Sequence, residues 1–522
     1  MRGNFLIIII DNQKHNCTVY RDKSGIKTGY FFVDDHQIVI GTNVHDVAKK
    51  SKVKSFNKNA ICKYLYGDFL FNGETYYDEI IEFKRGGAYS FNKQLELENV
   101  KYSTIDLSAL ENRLSEQRNI IELRKEIDNA HKGYLCSKNT VLLSGGIDSV
   151  AMLIALDDLL AKDQIRAITY KVKDTEEDET YYAKSIANHL EIPIKIIEID
   201  SEDSSNYANF EDRILKMNNP YIGMWIFGNF TGTPQEMFYA GQDTRLHTPS
   251  VNPIDRIAFN LVTVNNNLFV KLLDKLAVFF RGIIMLFNYN QNKYLRELYK
   301  LSYVFNVKEY VNKYYFKLDY KKFKTLGFPD AIYEELKSYF KIDYTQIKTP
   351  RALYNKIVEL KWSEQYITDI RYLQDVAKIN NTYVAMPFYL ESIATFSAAI
   401  PFKLSIKNMV GRGRFSNKRR IVKKYILRQA LKDKMNDTVY YRAKAVSSTM
   451  HLMFNGVLGE LIKQELNNDL NRRDSFINKF KLNSFIDRFL INDEWIVTDE
   501  DYLLKIYQIG TLAICNRKVL AE

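Results

Sequence analysis

The residues best suited to chemistry stand in one short string, Val141–Ser149, which reads VLLSGGIDS. Two adjacent glycines, Gly145 and Gly146, let the backbone approach an anion, and Ser144 and Ser149 flank them as hydroxyl donors. An apolar run, Thr140–Leu143, leads into the string. Apolar positions at helical spacing, Val150, Leu153, Ile154 and Leu156 among them, lead out of it. A strand that turns through glycines into a helix aims backbone amides and the positive end of the helix dipole at one spot, which makes a phosphate cradle. Asp148 alone would repel phosphate there, but it makes sense if Mg2+ bridges the two. A plain glycine turn before a helix is the alternative; the full SGGxDS string after a strand favours the nucleotide.

Further elements must position this loop. Ile165–Val172, Pro193–Asp200 and Met237–Ala240 read as strands, and Ser149–Leu160 and Glu179–Leu190 as helices. Strand–helix alternation at these lengths predicts an α/β fold with a doubly wound parallel sheet. Ahead of it, residues 1 to about 100 read as β-rich, with short runs at Phe5–Ile10, Tyr30–Val33, Gln37–Ile40 and Ala88–Phe91. The first of these reads as a buried strand, too short for a signal-peptide core. A helical linker is expected over Leu107–His131, and a boundary near 130–138. From about 256 onward the chain reads as mostly helical.

Composition excludes several classes. The 522 residues are 46% hydrophobic and 26% charged, with 9 prolines and 22 glycines, which argues against a disordered, collagenous or repeat-built chain. At about 150 residues per domain the length suggests two to four domains. Cys17, Cys62, Cys136 and Cys515 form no CxxC pair, so a zinc site or disulfide framework is not expected, and a cytoplasmic location is. No membrane span is expected. The most apolar stretch, Leu268–Phe287, is broken by Lys271, Asp274, Lys275 and Arg281, which share one side of a helical wheel. Packing within a helical domain is the expectation; a helix lying on a partner or a membrane surface is the other reading.

The net charge is +11, and residues 412–434 alone hold ten Lys/Arg and one Asp. That segment suits phosphates of some kind. An amphipathic helix with one solvated face is the plainer reading of it. Nucleic acid is not expected, because Phe415 and Tyr425 are the segment's only aromatics for stacking bases.

The SGGIDS string resembles the PP-loop of the ATP pyrophosphatase superfamily, whose members cleave ATP between the α and β phosphates. Four further segments are similar to asparagine synthetase: Tyr64–Tyr102, the helix ETYYAKSIANHL at Glu179–Leu190, TYVAMPFYL at Thr382–Leu390, and KYILRQA at Lys424–Ala430 followed by YRAKAV at Tyr441–Val446. The resemblance implies an inactive glutamine-amidotransferase-like domain over 1–130. It also implies an adenylating domain over 131–522, with a helical insertion at about 256–360. The expected cofactors are ATP and Mg2+. Leu143, Ser144, Gly145, Gly146, Asp148, Ser149, Ile168, Gly241 and Arg442 are its implied ATP contacts, and Asp148 and Asp243 its metal ligands.

The sequence also departs from the family. Arg2 stands where the glutaminase nucleophile, a cysteine, follows the initiator Met, so no glutaminase activity is expected. That loss resembles the branch with β-lactam synthetase, carbapenam synthetase and lasso-peptide cyclases, where the substrate supplies the amine. Leu390 replaces the Asp of the family's Pro-Phe-Leu-Asp segment. Around Asp243 the loop reads YAGQDTRLHTP, in which Arg245 and His247 are unusual. Lys444 matches the lysine that stabilises the oxyanion and departing pyrophosphate in the lactam-forming relatives. Their Tyr–Glu pair has four candidates here, Tyr366, Asp369, Tyr372 and Asp375, of which Tyr372 is the catalytic choice. The function implied is a ligase that adenylates a small-molecule or peptide carboxylate and couples it to an amine, with a homodimer as the expected assembly. Asparagine synthesis from external ammonia, a tRNA- or nucleotide-modifying PP-loop enzyme, and an ATP-binding scaffold are the alternatives.

Overall fold

The computed structural model describes residues 3–173, 179–227, 232–233, 235–241, 251–264, 267–287, 292–362, 367–410, 419–442, 453–488, 490–491, 494–495 and 500–521. The N-terminal part is built from two antiparallel sheets. One has the order β1-β2-β6-β7, from β1 (Leu6–Asp11), β2 (Asn16–Arg21), β6 (Gly87–Phe91) and β7 (Leu97–Tyr102). The other has the order β4-β3-β5, from β3 (Tyr30–Val33), β4 (Ile38–Gly41) and β5 (Ile81–Glu82). Val19, Phe31, Phe83, Tyr89 and Phe91 form a small separate core between them, with the Phe31 and Phe83 rings 4.6 Å apart. The N-terminal isoleucine run is therefore a strand, but not a buried one. Among the described residues β1 lies at a sheet edge with β2 as its one neighbour, and Ile8, Ile9 and Ile10 are exposed.

Two helices, α1 (Val44–Ser51) and α2 (Lys58–Gly67), lie between β4 and β5. The helix expected over Leu107–His131 is observed as α3 (Glu116–Lys132), begun by Ser115, whose side chain accepts from the Arg118 amide. The chain before it, although rich in Leu and Glu, is not helical. After α3 comes a fully parallel sheet of five strands in the order β10-β9-β8-β11-β12. They are β8 (Lys138–Leu142), β9 (Ile165–Val172), β10 (Ile194–Ile199), β11 (Glu236–Ala240) and β12 (Tyr383–Ala385). Helices α4 (Ile147–Leu159) and α5 (Thr180–His189) cross over between the first three. β9 and β10 extend the sheet to one side of β8, and β11 and β12 to the other. The strand order thus reverses at the carboxyl ends of β8 and β11, where sheets of this kind hold their ligands.

The large core runs without interruption from Ile26 and Val44 to Val519. Buried polar contacts cross it as well. Glu82 of β5 pairs with Arg371 and Arg21. Burial alone would raise its carboxyl, but Arg371 and Arg21 hold it below the usual value. Asp375 accepts from the backbone amide (2.9 Å) and side chain (3.0 Å) of Asn218, which in turn accepts from the Val44 amide at 2.9 Å. Burial pushes the Asp375 carboxyl up to about 6.

The C-terminal part is mostly helical, as expected, but the basic segment is not one helix. Arg419–Lys423 is a strand, β14, antiparallel to β13 (Ile406–Val410), and a short helix, Tyr425–Ala430, follows. The apolar helix Leu268–Met285 also departs from expectation. Arg281, on its charged side, is buried against the protein, while Leu268, Leu276, Phe279, Phe280 and Leu286 are exposed. Among the described residues no helix is long and apolar enough to cross a membrane.

Candidate active site

β8 ends at the SGGIDS string, and α4 begins inside it. The Leu143 amide donates to the Ile168 carbonyl at 2.8 Å, which fixes the loop's departure to the neighbouring strand β9. Ser144 and Ser149 then close the turn on itself. The Ser144 amide donates to Ser149 Oγ at 3.2 Å, the two hydroxyls lie 3.2 Å apart, and Ser149 Oγ donates to the Gly146 carbonyl at 3.0 Å. Gly146 is the N-cap of α4 and no side chain caps it. The first intrahelical bond is from Val150 to Gly146, so the amides of Ile147, Asp148 and Ser149 have no carbonyl within the helix to take them. A thirteen-residue helix with open amides at a sheet's switch point has the geometry that suits an anion.

Two glycines are required by space. Gly145 has φ +67°, and a Cβ there would stand 2.6 Å from Tyr182 Cβ and 2.8 Å from the Ala183 amide nitrogen. At Gly241, directly after β11, a Cβ would lie 2.4 Å from the Asp148 carbonyl. The backbone after β11 therefore lies against the first turn of α4, so the ends of both central strands meet at Asp148.

Two cations arrive from the C-terminal segment. Lys424 lies between β14 and the helix Tyr425–Ala430 with φ +52°, the left-handed region, where a non-glycine residue is strained. In that conformation its ammonium reaches both Asp148 oxygens, at 2.5 and 2.7 Å. The Tyr425 hydroxyl, donating to Glu116 at 2.5 Å, ties the same turn to α3. Arg428, one turn on, gives its guanidinium to the carbonyls of Lys423, Val439, Tyr440 and Arg442. Burial pushes its pKa down to about 10. It holds the backbone from which Arg442 springs.

Arg442 donates through Nη1 to the Ser144 carbonyl (2.9 Å) and through Nη2 to Glu179 (2.6 Å), and its guanidinium stands 4.2 Å from the Tyr182 ring centroid. Its Nε is buried without a hydrogen-bond partner among the described residues. A polar atom left so beside an anion cradle fits an oxygen of a bound phosphate. Asp148 fits one carboxylate ligand of a hard cation held jointly with phosphates.

The structure thus brings Leu143, Ser144, Gly145, Gly146, Asp148, Ser149, Ile168, Gly241 and Arg442 to one place. Tyr372 is 4% exposed, with its ring 4.9 Å from that of Tyr221. Lys444, Asp243, Arg245, His247, Tyr366 and Phe415 lie outside the described residues, as does Arg2. Lys424 joins the site without standing among the residues the sequence points to. The signal was present, since it opens the KYILRQA segment similar to the family's K-x-x-L-R element.

The family model described as asparagine synthase matches residues 135–226 and 283–495, which begins just before β8 and covers the loop, β14, Lys424 and Arg442. The chain belongs to the asparagine synthase family. The family is one of ATP-dependent carbon–nitrogen ligases. Over 84 residues the chain is also 34% identical to the NH(3)-dependent NAD(+) synthetase of Fusobacterium nucleatum subsp. nucleatum. That similarity covers 16% of this chain, and the chain spans 33% of that relative's length. The family match leaves 1–134, 227–282 and 496–522 outside it.

Proposed function

We propose that this chain is a synthetase that joins a carboxylate to an amine, splitting ATP into AMP and pyrophosphate. The observation that carries the reading is the uncapped first turn of α4, flanked by Lys424 and Arg442 from a segment almost 300 positions away. The loop amides and the Ser144 and Ser149 hydroxyls bind the phosphates. Gly145 and Gly241 let Tyr182 and the backbone after β11 close against the loop and so fix its shape. Arg442, with two of its nitrogens tied to Ser144 and Glu179, offers the third to a phosphate oxygen and keeps it oriented as charge grows on the leaving pyrophosphate. Mg2+, when bound with Asp148 and with Asp243 as a further ligand, supplies neutralising charge on the phosphates. Lys424, which neutralises Asp148, would then meet a phosphate instead.

In the first half a substrate carboxylate oxygen attacks the α-phosphorus, the bond to the β-phosphate oxygen breaks, and pyrophosphate leaves. In the second half an amine nitrogen attacks the acyl carbon, gives up its proton to a base, and the bond to AMP breaks. We assign the base to the neighbourhood of Tyr372 and the charge-stabilising cation to Lys444. The amine is supplied by the substrate or by free ammonia, as in peptide or natural-product tailoring. Burial supports this by raising the Cys17, Cys62 and Cys515 thiols, the reverse of what a glutaminase thiolate needs. Residues 1–130 are then an amidotransferase-like domain without its chemistry.

The test is carboxylate-dependent exchange of pyrophosphate into ATP, on wild type and Asp148→Ala, against amino acids and peptides. The expected result is exchange with at least one carboxylate and a loss of about 100-fold or more in Asp148→Ala. ATP binding without exchange for any carboxylate overturns the reading.

A further inference from the structure

The helix Leu268–Met285 inverts the usual arrangement of an amphipathic helix. Two of its four charged side chains, Asp274 and Arg281, face the protein. Arg281 Nε donates to Ser302 Oγ at 3.2 Å, Nη2 to the Ser302 carbonyl at 2.9 Å and Nη1 to Glu309 at 3.3 Å, with the guanidinium 3.4 Å from the Tyr303 ring centroid. On the same side Asp274 accepts from Asn306 at 3.3 Å, and Val270 and Ala277 are buried. Pinned this way, the helix turns its apolar arc outward. Leu268, Leu272, Leu276, Phe279, Ile283 and Leu286 recur at steps of three and four and are all exposed, Phe279 to 66% and Leu286 to 83%. The next helix, Lys293–Leu301, packs beside it and extends the face with Tyr294, Leu298 and Leu301. A continuous apolar surface of this kind is covered in use.

The charge around it selects what covers it. Lys271 and Lys275 are exposed along one flank of the arc, and Lys293 and Arg296 on the neighbouring helix. Residues 268–301 hold six Lys/Arg against Asp274 and Glu297, within a chain of net charge +11. A second copy would bring the same sign to the same place, whereas anionic headgroups bring the opposite one. Leu, Phe, Met and Tyr beside a lysine flank is the make-up of a helix that lies in a membrane interface. Residues 227–282, which hold most of this helix, fall outside the family match.

We propose that the helices Leu268–Met285 and Lys293–Leu301 seat this protein on the surface of a bilayer containing anionic lipid. The apolar arc enters the headgroup boundary without crossing the bilayer. Lys271, Lys275, Lys293 and Arg296 meet the lipid charges.

Flotation of the full chain with vesicles tests this. One set is phosphatidylcholine with about 30% phosphatidylserine, the other phosphatidylcholine alone. The wild type is expected to float with the first set, less so as salt rises, and weakly with the second. Leu276→Glu with Phe279→Glu is expected to lower binding about tenfold or more, with an unchanged thermal melt, because both side chains already face solvent. Lys271→Glu with Lys275→Glu is expected to lower binding to the anionic vesicles alone. A wild type that stays behind with anionic vesicles overturns the proposal. So does a lipid-free dimer by light scattering that Leu276→Glu with Phe279→Glu turns into a monomer, since the face would then belong to a second copy.

Discussion

α4 and the helix Leu268–Met285 are both built mainly of Leu, Ile, Val, Met and Phe or Ala, yet they lie in opposite settings. In α4 every residue from Val150 to Leu156 is buried. Its charges sit at the ends. Asp148 meets Lys424, Asp157 meets Lys434 at 2.6 Å, and Asp158 pairs with Arg124 and Lys434. No charge needs a partner in the middle, so the helix can be enclosed on all sides. In Leu268–Met285 the charges Asp274 and Arg281 come in the interior, and both find partners on the protein side. Apolar content alone therefore does not decide which way a helix faces. The position of its few charges, and where their partners stand, decides it.

That comparison is sharpened most by Leu153→Ala, in the enclosed helix. Leu153 is fully buried, and the cavity is expected to cost about 2–5 kcal/mol in urea unfolding. Arg281→Ala removes the pin of the outward helix, leaving the Ser302 carbonyl and Glu309 without this donor. The expected cost is about 1–3 kcal/mol by the same measurement. Leu272→Ser, on the exposed arc, is expected to change stability by less than about 0.5 kcal/mol. If Leu272→Ser costs as much as Leu153→Ala, the two helices are equally enclosed in solution and the contrast fails.

The strand–glycine loop–helix unit from β8 to α4 was legible in the sequence because its pattern is local. SGGIDS between an apolar run and a helical pattern needs no distant information, and the strands Ile165–Val172 and Glu236–Ala240 followed from runs of Ile, Val, Tyr and Phe. What remained hidden depends on partners far along the chain. β12 is three residues long and owes its strand form to pairing with β11. Arg419–Lys423 reads as a piece of a basic helix until Ile406–Val410 is set beside it. Ile8–Ile10 looked buried by composition, but burial needs a covering element, and β1 has a neighbour on one edge alone. Lys424 escaped notice because its role follows from a left-handed backbone and a carboxylate 276 positions earlier.

The bond from Arg442 to the Ser144 carbonyl spans 298 positions. A ribosome adding roughly 5–20 residues per second needs on the order of 15–60 s between making one partner and making the other. During that interval the growing chain already carries the glycine loop and α4, but neither Lys424 nor Arg442. A nascent protein of this design holds half of this charged cluster and cannot close it until most of the polypeptide has been translated.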